Sequence, residues 1–389
     1  MTNDVKNVPE WRFAGFVDEW KKKLLNEIAN VQMGQSPNSK NYTDDSQEMI
    51  LVQGNADLKN GKVFPRIFTK EITKLANIGD ILLSVRAPVG EIGISQMPVC
   101  IGRGVCSITS NLFIYYFLDY FNNENKWKKF SQGSTFESIS GNEVRSLIIY
   151  SPSKTEQQKI GDFFSKLDRQ IELEEQKLEK LEEQKKGYMQ QIFSQKLRFK
   201  DENGSDYPEW KKEIIGNIAT TFSGGTPSST NSTFYTGEIP FIRSGEISKT
   251  STELMINEKA ISNSSAKMVE TGDLLYALYG ATSGEVAISK INGAINQAVL
   301  CIRSQESIAY IFNYLKMKKD QILKTYIQGG QGNLSASIIK KVDIDLPNLE
   351  EQKLIGHFFN KFDDYIEIQS DKVELLKERK KGFLQKMFV

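Results

Sequence analysis

Apolar residues recur in a seven-residue repeat in two stretches of the chain, at residues 156–200 and 350–389. Such a repeat is typical of a helix that buries a narrow stripe against another helix. Polar residues interrupt both stripes at the same two places, so the pattern predicts two long helices with one packing arrangement. The stripe positions are Phe164, Leu167, Ile171, Glu174, Leu178, Leu181, Lys185, Tyr188 and Ile192, then Phe359, Phe362, Ile366, Gln369, Val373, Leu376, Lys380, Phe383 and Met387.

Short apolar runs bounded by Gly, Pro, Asn and Ser fill residues 1–155 and 201–349, and they indicate strands. Each region also has one longer apolar segment, LFIYYFLDYFNNENKWKKF from Leu112 and SIAYIFNYLKMKKDQILKTY from Ser307. These segments predict one helix in each region. Strands mixed with a helix predict two α+β units.

The chain consists of two copies of one sequence repeat. Residues 156–193 align without a gap on residues 351–388, with 19 of 38 positions identical. The repeat extends upstream, since GDILLSV from Gly79 matches GDLLYAL from Gly272, and the loop GQSP matches GGTP. Two copies are too few for a solenoid, so the repeat predicts a pseudo-dimer fused into one chain.

Connectivity predicts how the two helices run. The first leaves the first unit and leads to the second, and the other leaves the second unit, so a packed pair must be antiparallel. The alternative is that each helix lies on its own unit.

The expected register sets Glu174 opposite Lys380. A register displaced by one heptad would put Glu174 beside Val373 and Lys185 beside Phe362. That alternative costs several kcal/mol if charged side chains face apolar ones without reaching water, so the first register is preferred.

The composition narrows the class of protein. Hydrophobic residues make up 39% of 389 residues, which is ordinary for a globular protein. The start of the sequence has no apolar signal region and no apolar run is long enough to cross a bilayer, so a cytoplasmic location is expected. Three cysteines, Cys100, Cys106 and Cys301, show no CxxC spacing and indicate neither a disulfide framework nor a zinc site.

Lys and Arg number 50 against 49 Asp and Glu, so any anion-binding face must be locally polarised or be shared with a partner. No phosphate loop, no GxGxxG and no HExxH occurs, and the chain has a single histidine, His357. We therefore expect no catalytic residue and no metal site in this chain.

The doubled order of motifs resembles the specificity subunit of type I restriction-modification systems, over essentially the whole chain. The motifs are EWKK followed by a G-x-[ST]-P loop, IPFIRSGEI, GDLLYALYGATSGEVAIS, GGQGNLS, LPNLEEQKLIGHFFNKFDDYI and the ends KKG-[YF]-x-Q-x-x-F. The first copy departs from this pattern, with LVQGNADLKNGK in place of FIRSGEISKT and GSTFESIS in place of GGQGNLSAS. Divergence at these loops is what two different DNA half-sites require.

The resemblance implies an α+β fold of two pseudo-twofold-related target recognition domains separated by two long antiparallel coiled-coil helices. It places the first recognition domain at residues 1–155, a central helical spacer at 156–200, the second recognition domain at 201–349 and a C-terminal spacer at 350–389. Each domain would read one half of an interrupted double-stranded DNA site. The helices would dock modification (methyltransferase) subunits, two in number, and restriction and motor subunits would join the complex. S-adenosylmethionine, ATP and Mg would bind the partner subunits and not this chain.

Amide, hydroxyl, arginine and aromatic side chains in the loops are candidates for DNA contacts, because they can hydrogen-bond base edges and phosphates. Aromatic residues of the two spacers are candidates for partner docking. The expected DNA-binding residues are Arg243, Ser244, Tyr279, Ser283, Gln331, Asn333, Lys40, Tyr42, Gln53, Arg86, Arg103 and Thr135. The expected partner-binding residues are Phe163, Tyr188, Phe193, Phe358, Phe383 and Phe388.

Two other functions compete with DNA recognition. The chain could recognise and modify DNA by itself, although the missing methyltransferase motifs oppose this. It could instead be a non-catalytic scaffold whose coiled coil spaces two ligand-binding domains. DNA binding measured with and without a methyltransferase partner separates the three.

Overall fold

A computed structural model describes residues 7–130, 138–326 and 333–389 of the chain. It divides into two compact units, residues 1–176 with 371–389, and residues 177–370. Each unit thus contains parts of both long helices. The boundaries at residues 155, 200 and 349 remain predictions.

The first unit is an α+β structure whose strands over the described residues are β1 (Lys21–Leu24), β2 (Asn30–Met33), β3 (Tyr42–Thr43), β4 (Met49–Val52), β5 (Leu58–Lys59), β6 (Lys62–Val63), β7 (Phe68–Thr69), β8 (Leu75–Ala76), β9 (Ile81–Ser84), β10 (Ile92–Ile94), β11 (Val99–Ile101), β12 (Val105–Thr109) and β13 (Ile148–Ser151). They form one sheet in the order β2-β12-β9-β10-β6-β5 and another in the order β3-β7-β4-β11-β8. Strands β1 and β13 form an antiparallel ribbon. The helices are α1 (Leu25–Ile28), α2 (Leu112–Asn123), α3 (Gly141–Arg145) and the first long helix, α4 (Lys154–Phe193).

The second unit repeats this plan with strands β14 (Lys211–Ile214), β15 (Ala219–Ser223), β16 (Ile239–Ile242), β17 (Met255–Ile256), β18 (Lys267–Val269), β19 (Leu274–Ala277), β20 (Val286–Ile288), β21 (Gly293–Ile295), β22 (Val299–Ser304) and β23 (Asp343–Leu346). The sheets run β15-β22-β19-β20 and β17-β16-β21-β18, and β14 pairs with β23. The helices are α5 (Ile215–Ile218), α6 (Glu258–Ser262), α7 (Ile308–Tyr326), α8 (Ala336–Lys340) and the second long helix, α9 (Leu349–Met387). No helix in the described part of the chain is both long and apolar enough to cross a membrane.

The doubled GD motif begins the central strand of each unit. Gly79 and Gly272 have φ of 86° and 98°, in the left-handed region that favours glycine. The following Asp80 and Asp273 each accept a hydrogen bond from the amide three residues earlier, at 2.8 Å. These turns lead into β9 and β19, which are buried at all four positions. The sequence match between the two copies therefore marks equivalent positions in the fold.

Each core is closed by the ends of the long helices. In the first unit, α2 packs with Phe164 of α4 and with Phe388 beside α9, and the rings of Phe164 and Phe388 stack with centroids 6.1 Å apart. In the second unit, Phe193 and Phe359 stack at 5.8 Å and pack with α7. Both phenylalanine pairs are therefore part of the globular cores.

A buried carboxylate at the start of each long helix ties down a preceding segment of chain. Glu156 accepts hydrogen bonds from the Nε and Nη2 of Arg12 at 2.6 and 2.7 Å. Glu351 accepts the same two bonds from Arg198 at 3.1 and 2.7 Å. The two ion pairs occupy equivalent places in the two units. Comparing the two copies of the repeat in the sequence did not identify either arginine as a partner of these carboxylates.

The long helices run antiparallel within each unit, as predicted. In the first unit, Glu174 of α4 pairs with Lys372 of α9 at 3.0 Å, and Lys380 pairs with Asp168 at 2.8 Å and Asp119 at 2.9 Å. The predicted register, with Glu174 opposite Lys380, is therefore wrong. The helices adopt the register displaced by one heptad.

The second unit shows why this register is tolerated. Lys185 lies within the helix pair with only 8% of its side chain exposed, and its ammonium pairs with Asp363, the neighbour of Phe362. Burial lowers the pKa of Lys185, and the hydrogen bond to Asp363 opposes that shift. The charge at the stripe is thus neutralised by a carboxylate at the flank of the opposite helix.

We expect Asp363→Ala to destabilise the second unit by about 1–3 kcal/mol, because the buried ammonium of Lys185 loses its acceptor. Lys185→Met should be neutral or stabilising, since a side chain of similar length fills the same place. Denaturant unfolding of the single and double variants checks this, with exposed Asp364→Ala as the matched control. An equal loss from Asp363→Ala in the Lys185→Met background would contradict the pairing.

Candidate functional site

Loops at equivalent places in the two units are held by the same backbone hydrogen bonds. In the second unit, the Leu278 amide donates to the carbonyl of Ala298 at 2.8 Å, and the Asn296 amide donates to that of Ile242 at 3.2 Å. This joins the loops that follow β16, β19 and β21 into one cluster, which we call the second loop cluster.

The first unit builds the same frame, here called the first loop cluster. The Val85 amide donates to Gly104 and the Gly102 amide to Val52, both at 2.8 Å. The loops that follow β4, β9 and β11 are thereby joined. The two loop clusters thus have the same backbone arrangement, so their residues can be compared position by position.

The G-x-[ST]-P loops enter these clusters through a close backbone approach. A side chain at Gly34 would collide with the carbonyl oxygen of Gly102, and one at Gly224 would collide with that of Ile295. Only glycine fits there. The motif therefore brings the loop after β2 or β15 against the turn that follows β11 or β21.

Hydroxyl, amide and phenol groups meet in the second loop cluster. The Thr226 hydroxyl donates to Oε1 of Gln297. Burial raises the pKa of Tyr279, and a hydrogen bond with Gln297 opposes that shift. Gln297 and Thr226 are exposed and Tyr279 is half-buried, and the side-chain amide of Gln297 is positioned by both partners.

Arg243 follows β16 and is held by two carboxylates. Its Nε donates to Glu246 at 2.9 Å and its Nη2 donates to Glu246 at 3.2 Å and also to Glu253. The arginine side chain remains 37% exposed. Its guanidinium thus has a fixed orientation at the surface of the loop cluster.

The other residues expected in the second unit differ in their surroundings. Ser244 is half-buried beside Arg243, and the Ser283 hydroxyl donates to the carbonyl of Leu278 at 3.0 Å, within its own turn. Asn333 is exposed. Gln331 lies outside the described residues.

In the first loop cluster, the backbone amide of Gln53 donates to the buried carboxylate of Asp57 at 2.7 Å. The side-chain nitrogen of Gln53 is buried and has no hydrogen-bond partner in the described part of the chain. The amide of Arg103 donates to Ser36 at 3.1 Å, while the Arg103 side chain is exposed. Gln53 and Arg103 therefore belong to one cluster.

The remaining residues expected in the first unit lie on neighbouring segments. Arg86 is exposed and its backbone bridges to Ser138. Lys40 is exposed in a short turn, and half-buried Tyr42 begins β3. Thr135 lies outside the described residues.

Sequence reasoning missed Thr226, Ser36 and Gln297. The sequence could have identified Gln297 as a loop-cluster residue, since aligning IGRGV with INQAV places it at the position of Arg103. The DNA-binding role of all these residues stays a prediction.

The aromatic residues expected to dock partners fall into two groups. Phe193 and Phe388, expected to be free for other helices, are buried in the cores of their own units, so this expectation is corrected. Phe163 and Phe383 are half-buried and meet each other with ring centroids 5.2 Å apart. Tyr188 is 37% exposed and packs on half-buried Phe358 at 5.3 Å. Docking by these four remains a prediction.

Two solved structures share this fold over almost the whole chain. The S subunit of the type I restriction-modification system from M. genitalium superposes with a TM-score of 0.65 at 15% identity, covering 98% of this chain and 99% of that one. A chain from a study of complex assembly and conformational transition of the type I R-M system gives 0.59 at 17% identity, covering 97% and 99%. These matches confirm the predicted fold class of two α+β units with long antiparallel helices.

Curated relatives come from Methanocaldococcus jannaschii. The chain is 31% identical over 205 residues to the putative type I restriction enzyme MjaX specificity subunit, covering 51% of this chain and 46% of the relative. It is 24% identical over 299 residues to the MjaIX specificity subunit, covering 70% and 68%. The match to the MjaX relative thus spans less than half of that protein's length.

A family model for the type I restriction modification DNA specificity domain matches the chain twice, at residues 17–183 and 207–378. The matches cover both units and most of both long helices. The chain therefore belongs to the family of type I restriction modification DNA specificity domains and carries two copies of the domain.

Proposed function

We propose that this chain is the sequence-specific DNA-recognition subunit of a type I restriction-modification complex. Each unit reads one half of a bipartite, interrupted site in double-stranded DNA. The observation that carries this proposal is the pair of loop clusters, which share a backbone frame but present different side chains. Gln53 and Arg103 stand in the first cluster where Arg243 and Gln297 stand in the second.

The chemistry of these side chains suits base and phosphate recognition. Arginine pairs with guanine edges or phosphates and glutamine with adenine edges. Lys40, Arg86 and Arg103 are exposed, and the structure shows an ion pair for none of them within its described residues. They supply local positive charge on a chain whose net charge is only +1.

The partner assignments follow the same proposal. The long helices dock two methyltransferase subunits, through Phe163, Tyr188, Phe358 and Phe383, and restriction and motor subunits join the assembly. Catalysis belongs to those partners, which bind S-adenosylmethionine, ATP and Mg. The complex acts in the cytoplasm, where it meets DNA.

Exchanging the segment between β1 and β13 for that of a relative should change one half-site and leave the other intact. The graft should be tolerated because Lys21 pairs with Ser151 across the ribbon, so the two ends of the segment lie side by side. Sequencing of methylated bases in host DNA measures the result. A matched exchange between β14 and β23 should change the opposite half, and changes in both halves from a single exchange would contradict the proposal.

A further inference from the structure

The hydrogen bonds of Arg243 divide its guanidinium into two edges. Glu246 accepts from Nε and Nη2 and so occupies one edge. Glu246 is itself buried and fixed, because it also accepts the backbone amides of Arg243 at 3.2 Å and Glu253 at 2.9 Å. This contact orients the arginine from inside the unit.

Glu253 meets the same guanidinium from outside. It accepts from Nη2, and its side chain is 72% exposed. A guanidinium has five N–H donors, of which the described contacts engage Nε and Nη2. The second edge of the guanidinium, formed by Nη1 and Nη2, faces outward and can donate one hydrogen bond from each nitrogen to a pair of acceptors. Glu253 occupies the Nη2 side of this outer edge.

We propose that Glu246 is a positioning residue for Arg243, and that Glu253 is an exchangeable carboxylate which paired acceptors of DNA replace on binding. This inference rests on the proposed DNA-recognition function and deepens it for the second unit. The paired acceptors are guanine O6 and N7 or two phosphate oxygens, which present the same chemistry to arginine.

The first unit lacks this arrangement and serves as an internal reference. Asp57 is the buried acid in the place of Glu246, and it accepts the amides of Gln53 and Gly54. Glutamine stands in the place of Arg243, and the guanidinium near Asp57 belongs to Arg66, 3.8 Å away, for which the described contacts show no second carboxylate. The described contacts therefore show an arginine held between a buried and an exposed carboxylate in the second unit and not in the first.

The test uses the full chain assembled with its methyltransferase subunit and a fluorescent duplex carrying the site found by sequencing methylated bases. Glu253→Gln should bind this duplex about threefold more tightly, since an exposed ion pair no longer competes with DNA for Arg243. Arg243→Ala should bind about tenfold more weakly. In the Arg243→Ala background, Glu253→Gln should change affinity by less than about 1.5-fold.

Asp206→Asn is the matched control, because Asp206 is an exposed acid of the same unit that pairs with Lys200 at 3.5 Å. It should leave affinity unchanged. No tightening by Glu253→Gln, or the same tightening without Arg243, overturns the exchange. Failure of the unaltered complex to bind the duplex overturns the proposed function itself.

Two further readouts complete the design. Glu246→Gln should alter DNA recognition in the same way as Arg243→Ala, in base discrimination or in salt slope, whereas a lowered thermal midpoint with unchanged methylation would overturn the positioning role. Loss of discrimination at one base pair of one half-site identifies a guanine edge as the ligand. Uniform weakening with a salt slope smaller by about one identifies phosphate as the ligand, and either result supports a DNA contact by Arg243.

Discussion

Glu351→Ala should destabilise the second unit by about 3–5 kcal/mol, because removing one partner of a buried ion pair leaves the other uncompensated. Glu351 has 0% of its side chain exposed. It accepts two hydrogen bonds from Arg198 and one from the indole of Trp210 at 3.0 Å. Denaturant unfolding gives the size of the loss, and hydrogen exchange shows whether residues 177–370 carry it.

Glu350→Ala is the control for this change, since Glu350 is the exposed neighbour in the same helical turn. It should alter stability by less than about 0.5 kcal/mol. The equivalent change Glu156→Ala should weaken the first unit in the same way through Arg12. A loss below about 1 kcal/mol for Glu351→Ala would show that the buried pair contributes little to the fold.

Phe359→Ala should cost about 3–5 kcal/mol, the range for removing a buried aromatic ring from a packed core. Phe359 is fully buried, stacks on Phe193 and meets Phe358 edge-on at 5.4 Å. Its loss opens a cavity between α9 and α7 that rigid neighbours cannot fill. The free energy of unfolding from denaturant titration measures this cost.

Tyr365→Ala is the matched control on the same helix, because Tyr365 is 60% exposed. It should change the free energy of unfolding by less than about 0.5 kcal/mol. Phe359→Leu should lie between the two, since leucine fills part of the space. Similar losses from Phe359→Ala and Tyr365→Ala would mean that the ring is not a core residue.

The repeat in the sequence predicted much of the fold because equal spacing forces equal packing. Phe164 and Phe359 are 195 residues apart and occupy the same place in their units, and so do Glu156 and Glu351. What the seven-residue pattern did not show is that these phenylalanines enter the globular cores. Periodicity identifies the buried face of a helix but not the element that covers it.

The helix register could not be read from the stripe residues alone. Opposing apolar and charged side chains argued against the observed alignment, but the decisive groups, Asp363 and Lys372, lie outside the stripe. Long lysine side chains reach such groups while their methylenes stay buried. Register was thus decided by flanking residues that the heptad pattern ignores.

The candidate site was predicted at the level of loops and less well at the level of contacts. Arg243 was selected for its residue type. Its hydrogen bond to Glu253, ten positions later, depends on how the chain between them folds back. Gln297 was missed because it sits in a turn whose sequence carries no glycine-rich or charged signal. Its place beside Thr226 arises from a contact across 71 positions of sequence.

The division of the chain also orders its biosynthesis. Residues 177–370 form a continuous unit, whereas the first unit is completed by residues 371–389. Leu384, Met387 and Phe388 belong to the first unit's core, so that core stays open while the ribosome makes the whole second unit. At about 5–20 residues per second, this interval is roughly 10–40 s. The half of the protein that is made first is therefore the half that finishes folding last.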